Sequence, residues 1–315
     1  MSSEMAALPG CSTAAARRLS ACCSHLWPGA AAAAVESEQL NKQAPGKKAA
    51  DAHASNQSVS ISTVTDIQRF QMDTKGWIVL PGILSALECD AIKEHLYGGG
   101  DTYSGPCQML LDHPALVAVL NEFLVERDLS DDFYNFRCEN SFATIRAAGF
   151  KAGGTNIAHT VRPPQRANAM RYHAAGGRIY TGLTRCVWEL NPVKKEDGGT
   201  KFLSGSHRAH FETPDAMVAP GNAFLDSYEC PAGSCVIFTE SLYHAAVDWD
   251  TKEYDRVAVF NCYNSLWAQW HKTNLSHEQI SAMPPKRRTL FRGVYAHDFS
   301  GGGDNIEYSR DNMAL

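Results

Sequence analysis

The stretch "FTESLYHAAVDWDTKEYDRVAVF" holds His244 just after a β-type run and a turn, and Arg256 twelve residues later at the start of the next such run. A neutral imidazole at a strand end is a good metal ligand. An arginine on the neighbouring strand can grip a carboxylate with two parallel hydrogen bonds. Together the two residue types suit a metal ion with a chelating keto acid; the plain alternative is a core histidine and a structural salt bridge. Further histidines lie in "IAHTVRPPQRANAMRYHAAGG", where His159 and His173 are candidate ligands and neither is followed two residues later by an acid. Four acids compete for a third ligand position: Glu189, Asp197, Asp248 and Glu240. Asp197 stands before Gly198 and Gly199, where turn chemistry explains it. Asp248 falls in a loop. Glu240 precedes His244 by four residues, so a turn brings the two together, with Glu240 either ligating metal or orienting His244.

These residues need a β framework. From about residue 141 short β-branched and aromatic runs alternate with Gly, Pro and Asp: "SFATI", "RIYTGLTRCVWEL", "TKFLSG", "SCVIFTE" and "RVAVFNCY". Short strands at this spacing predict a sandwich or barrel. Before them, "TVTDIQRFQMDTKGWIVLPGILSALECDAIKEHL" reads as helix, strand, helix. Gly76 stops the first helix, and Ser85 with Glu88 forms a capping box for the second. "DHPALVAVLNEFL" predicts a further helix, with Asp112 as its cap and Pro114 in its first turn.

The opening "GW-I-V-LPG-IL", the turn "DGG-x-x-FL-SGSHR" and the His244–Arg256 pair, in that order, resemble the phytanoyl-CoA dioxygenase family of Fe(II)/2-oxoglutarate oxygenases, over roughly residues 64–295. The resemblance implies a mainly β fold with helices: a double-stranded β-helix, the cupin-type jelly roll, with N-terminal helical support. It implies Fe(II) and 2-oxoglutarate as cofactors, O2 as co-substrate, and hydroxylation of a C–H bond in a lipid-like, acyl or small organic molecule. By position, His244 becomes the distal iron ligand, Arg256 the 2-oxoglutarate anchor and Trp188 a residue lining the cofactor pocket. Strand alternation would then turn Glu189 away from that pocket. The family's proximal His-x-Asp follows a strand and a short loop, which makes His159 the preferred ligand and His173 the alternative. Glu240 is the best acid for the third position. Ala175, two residues after His173, is the small residue that a halogenase-like relative would carry with chloride on its iron, and a metal-free binding protein of the same fold would carry it too.

The rest of the sequence limits the alternatives. A net charge of −5 argues against nucleic-acid binding. "WPGAAAAAV" is too short to span a membrane. The 10 cysteines show no regular spacing and read as reduced thiols. Residues 1–60, rich in Ala, Ser, Lys and Gln, read as a disordered targeting segment ahead of a single domain at 61–315. Within it "RLSACCSHL", Arg18 to Leu26, matches a type-2 peroxisomal signal read by an import receptor, the alternative being a mitochondrial or plastid address. "MPPKRRTLFRG" adds a basic cluster, read as a solvated face or as a site for anionic groups.

Overall fold

The computed structural model describes residues 64–125, 133–152, 158–160, 171–219, 222–266, 268–273 and 275–294. The segment 1–60, with Arg18 to Leu26, lies outside them.

Helix α1 (Asp66–Lys75) starts at a capping box in which the Thr65 side chain accepts from the Gln68 amide, and stops at Gly76, whose φ of 84° is the left-handed conformation that a glycine C-cap supplies. Strand β1 (Trp77–Leu80) follows directly. Helix α2 (Ala86–Tyr97) has the Ser85–Glu88 capping box that the sequence indicates. Helix α3 (Pro114–Phe123) departs from expectation at its start. Its N-cap is His113, whose Nδ1 accepts from the Ala115 amide, with Pro114 at the first position. Asp112 instead accepts from the Arg287 guanidinium at 2.7 Å and from the Tyr134 hydroxyl at 3.1 Å, an ion pair that outcompetes a cap.

The strands form one large antiparallel sheet in the order β1–β7–β5–β9–β2, comprising β2 (Phe136–Arg146), β5 (Thr184–Glu189), β7 (Ser234–Thr239) and β9 (Arg256–Ser265) with β1. "RIYTGLTRCVWEL" is broken in two: β4 (Arg178–Tyr180) pairs with β3 (His173–Ala175) in a separate hairpin, and β5 begins only after Gly182, at φ 63°. A second sheet pairs β6 (Thr200–Phe202) with β8 (His244–Ala246), extended at its two edges by single bridges, His159 beside His244 and Asp226 beside Phe202.

Alternation along the large sheet divides the interior. Cys186, Trp188, Ile237, Val257 and Val259 pack on the helices in one core, with Ile92, Leu116 and Leu120. On the other face Val187, Val236, Phe238 and Ala258 meet Phe202, Tyr228, Leu242 and Trp249 around the small sheet. Burying aliphatic and aromatic side chains at about 1.5–3 kcal/mol each is the main force closing these two layers. Two sheets enclosing one core, backed by helices on the outer face, make the double-stranded β-helix that the sequence predicts.

The seven cysteines among the described residues are free and buried. Among those residues no helix is long and apolar enough to cross a membrane. In the basic cluster Lys286 is exposed, whereas the three arginines have partners within the protein. Arg287 binds Asp112 and Gln108, Arg288 donates to the Met283 carbonyl, and Arg292 donates to the Tyr134 carbonyl.

Candidate metal and carboxylate site

The chain leaves the large sheet at Thr239, turns through residues 240–243 and enters the small sheet at His244. The turn is fixed at several points. The Glu240 amide donates to the Leu183 carbonyl at 2.8 Å, and the Leu242 amide to the Thr239 carbonyl at 3.0 Å. The Thr160 hydroxyl reaches the carbonyls of Glu240 and Ser241 at 3.1 and 2.8 Å. Next to Thr160, His159 pairs its backbone with His244 in both directions, at 2.9 and 3.0 Å. The two imidazole rings consequently lie 4.2 Å apart, centroid to centroid.

His244 is buried against Phe238, with ring centroids 4.7 Å apart. Burial, joined by the nearby His159, pushes its pKa down to about 4 despite the attraction of Glu240, so the imidazole is neutral. Its Nδ1 lies 2.8 Å from the Leu242 carbonyl, which can only accept. That places the proton on Nδ1 and leaves Nε2 with a lone pair. Nε2 faces Glu240 Oε2 at 3.5 Å. A lone pair and a carboxylate oxygen aimed at one another inside the protein form a seat for a cation.

Glu240 is held from its other side by Arg185, whose Nε donates to Oε1 at 2.7 Å. Burial alone would raise the Glu240 pKa. The Arg185 guanidinium beside it opposes burial, and the pKa lies below the ordinary carboxyl value, so the carboxylate is ionised. Arg185 also donates to Asn140 and lies over the Phe142 ring. It was not singled out from the sequence. Its signal there is an arginine in an otherwise buried strand, which only the position of Glu240 explains.

Among the described residues, no three His, Cys, Asp or Glu side chains already stand as a finished metal-binding set. His159, His244 and Glu240 nevertheless fit iron in donor chemistry: two imidazoles tied by one backbone bridge, one with its tautomer fixed, and an ionised carboxylate beside it. His173 is in a different place. It is exposed on the β3–β4 hairpin and stacks on Tyr180. It lines a groove of about 270 Å³ together with Arg171, His207, Arg208, His210 and Ser241. Ser241, one of its lining residues, follows Glu240 in the chain.

The other acids are accounted for. Asp197 caps its own turn, accepting from the Lys194 amide and the Tyr254 hydroxyl. Asp248 accepts from the Ala152 amide and pairs with Lys151 in a surface loop. Trp188 and Glu189 lie on opposite faces of β5, as alternation requires, but the faces are the reverse of those expected. Trp188 packs edge-on to His113 in the helix-backed core, away from the pocket. Glu189 turns to the other side and meets Arg256. Arg256 Nη2 donates to Glu189 Oε1 at 2.5 Å and its Nε to Oε2 at 3.2 Å, with both side chains 1% exposed. The Tyr228 hydroxyl donates to the same Oε1 at 2.5 Å. As it stands, the expected anchor for a 2-oxoglutarate carboxylate already holds a carboxylate of the protein.

Comparison with known proteins agrees with this architecture. No curated protein matches the chain. Among solved structures, HygX from Streptomyces hygroscopicus with nickel and 2-oxoglutarate bound is 18% identical, with a TM-score of 0.55 over 67% of this chain and 93% of HygX. The iron-bound form of HygX is also 18% identical, with a TM-score of 0.53 over 68% and 93%. These likenesses establish the jelly-roll fold. The family model for phytanoyl-CoA dioxygenase (PhyH) matches residues 72–257, from the end of α1 through the metal site to Arg256. With a match over more than half its length, the chain belongs to the phytanoyl-CoA dioxygenase family, whose cofactors are Fe(II) and 2-oxoglutarate.

Proposed function

We propose that the protein is an Fe(II)/2-oxoglutarate-dependent oxygenase that hydroxylates a C–H bond of a lipid-like or small organic substrate. The observation that carries this reading is the backbone bridge joining His159 to His244, with the free Nε2 of His244 facing Glu240. In this reading His159 and His244 hold Fe(II), and Glu240 is the third ligand or the group that orients His244. The bound iron supplies oxygen activation, with 2-oxoglutarate as the reductant. The chain fixes the imidazole tautomer through Leu242, keeps Glu240 ionised through Arg185, and shields His244 behind Phe238. Substrate reaches the iron along the groove beside Ser241, where Arg171, Arg208 and three histidines offer donors to a polar or anionic end. The signal at Arg18 to Leu26 supports a peroxisomal location.

Anaerobic titration with Fe(II) tests the site. The wild-type chain is expected to bind one equivalent. His244→Ala and His159→Ala each lose it, and His173→Ala keeps it. Glu240→Ala abolishes binding if Glu240 is a ligand, and weakens it about 10- to 100-fold if Glu240 acts from behind His244. Iron retained after loss of His244 or of His159 refutes this site.

A further inference from the structure

Arg256 and Glu189 meet as two charged groups with almost no access to water. The guanidinium presents Nε and Nη2 to the two carboxylate oxygens, the two-pronged geometry in which arginine recognises a carboxylate. The seat has further polar walls: Arg256 Nη2 lies 3.4 Å from both the Tyr228 hydroxyl and Thr200 Oγ1, and Tyr228 donates to Glu189. The Phe260 ring lies against the guanidinium plane, 5.6 Å from its centroid. One arginine, a phenol, a threonine and an aromatic wall are what a built carboxylate seat contains, and this seat is filled.

A second guanidinium stands nearby. Arg146 lies directly across from Arg256 in the β2–β9 register. Its Nη1 donates to the Val247 carbonyl and its guanidinium lies over the Phe150 ring. Among the described residues it makes no ion pair. Two guanidiniums therefore stand close enough to repel one another, and the charges of Glu189 and Asp248 both act on Arg146.

From this geometry we propose that Glu189 is a built-in occupant of the carboxylate seat on Arg256, so that 2-oxoglutarate takes that seat only by displacing Glu189. This rests on the oxygenase reading for the identity of the ligand, but the occupancy itself is independent of iron. It makes Glu189 the residue that sets 2-oxoglutarate affinity. The displaced carboxylate stays within the field of Arg146.

Two measurements test it. The first is calorimetric titration of 2-oxoglutarate into the Fe(II)-loaded protein under anaerobic conditions. Glu189→Gln keeps the shape and removes the competing charge, and is expected to bind 2-oxoglutarate about tenfold or more tighter than wild type. The second needs no metal. Glu189→Ala opens a space of acetate size beside Arg256, so acetate or succinate is expected to raise its melting temperature while leaving wild type unchanged. If a variant is recovered unfolded, refolding in succinate serves as the same test: recovery supports the proposal and failure overturns it. Equal 2-oxoglutarate affinity in wild type and Glu189→Gln also overturns it, as does a lack of carboxylate rescue in Glu189→Ala. A protein that binds no iron but shows the rescue sinks the oxygenase reading and leaves the occupied seat standing.

Discussion

At the scale of single residues, Arg185 and Glu240 bear on both stability and chemistry. Their side chains are 12% and 6% exposed. Removing one partner of such a pair leaves a buried charge without compensation, which costs about 3–5 kcal/mol. Arg185→Ala is therefore expected to lower the unfolding free energy by about that amount in urea denaturation, and a loss below about 1 kcal/mol would mean that Glu240 finds other partners. Arg185 holds Oε1 of Glu240 and leaves Oε2 facing His244. If Glu240 is a full ligand, chloride leaves the Fe(II) spectrum unchanged, because the carboxylate fills the position and repels a second anion. A chloride-dependent shift that Glu240→Ala does not alter indicates that the anion, and not the carboxylate, completes the site. Sequence reading singles out His244, Glu240 and Arg256 because each stands at a strand end within a few residues of a turn, and the structure keeps them at those places. It prefers His159 to His173 without the contact that separates them in the fold, a backbone bridge from His159 to His244 across 85 positions. It also turns Trp188 and Glu189 to the wrong faces. Alternation says that they face opposite ways, but only packing on His113 says which way.

At the scale of elements, local chemistry is the most legible part. Ser85 and Glu88 cap α2 as a short sequence pattern requires, and Ser85→Ala is expected to cost about 1 kcal/mol. The start of α3 is misread, because Asp112 has a partner in Arg287 that lies 175 residues away. Asp112→Ala is expected to cost about 1–3 kcal/mol in chemical denaturation through that buried pair, with helix content unchanged since His113 is the cap. Strand β2 runs for 11 residues although only "SFATI" shows strand character, since its first half carries Arg137, Glu139 and Asn140 and owes its form to pairing with β9. Glu139, at the irregularity in that pairing, accepts from Asn264, from the amides of Trp270 and His271 and from the His271 ring, at 2.8 to 2.9 Å. Burial pushes its pKa up, but these hydrogen bonds outweigh burial and leave it below the ordinary value of 4.5. A depressed folded-state pKa contributes stability above the unfolded value, and that stability is lost as pH falls through the folded one. Wild type is thus expected to lose unfolding free energy as pH drops below about 4.5, and the loss is smaller in Glu139→Gln. Identical pH curves for the two proteins would remove Glu139 from this role.

At the scale of the molecule, the jelly roll was legible because two sheets facing one core impose alternation on every strand, and alternation survives in sequence. The site was less so, because it is assembled where the chain crosses from one sheet to the other. The proposed peroxisomal address is separable from the fold. Residues 1–40 fused to a fluorescent reporter are expected to direct it to peroxisomes, and the double change Leu19→Ala and His25→Ala to leave it in the cytosol; mitochondrial or plastid signal from the unaltered fusion would contradict the assignment. The bridge between His159 and His244 has a mechanical side as well. It is a single pair of amide contacts at the rim of a small sheet, the weakest place in a ladder and the first to fray. A metal bound by both rings would act there as a rivet. Amide exchange at residues 159 and 244 should accordingly slow when metal is added, while exchange in the middle of β5 stays the same. Metal affinity and the firmness of this rim are then one quantity measured in two ways, and a substitution that loosens the rim far from either imidazole should release the ion.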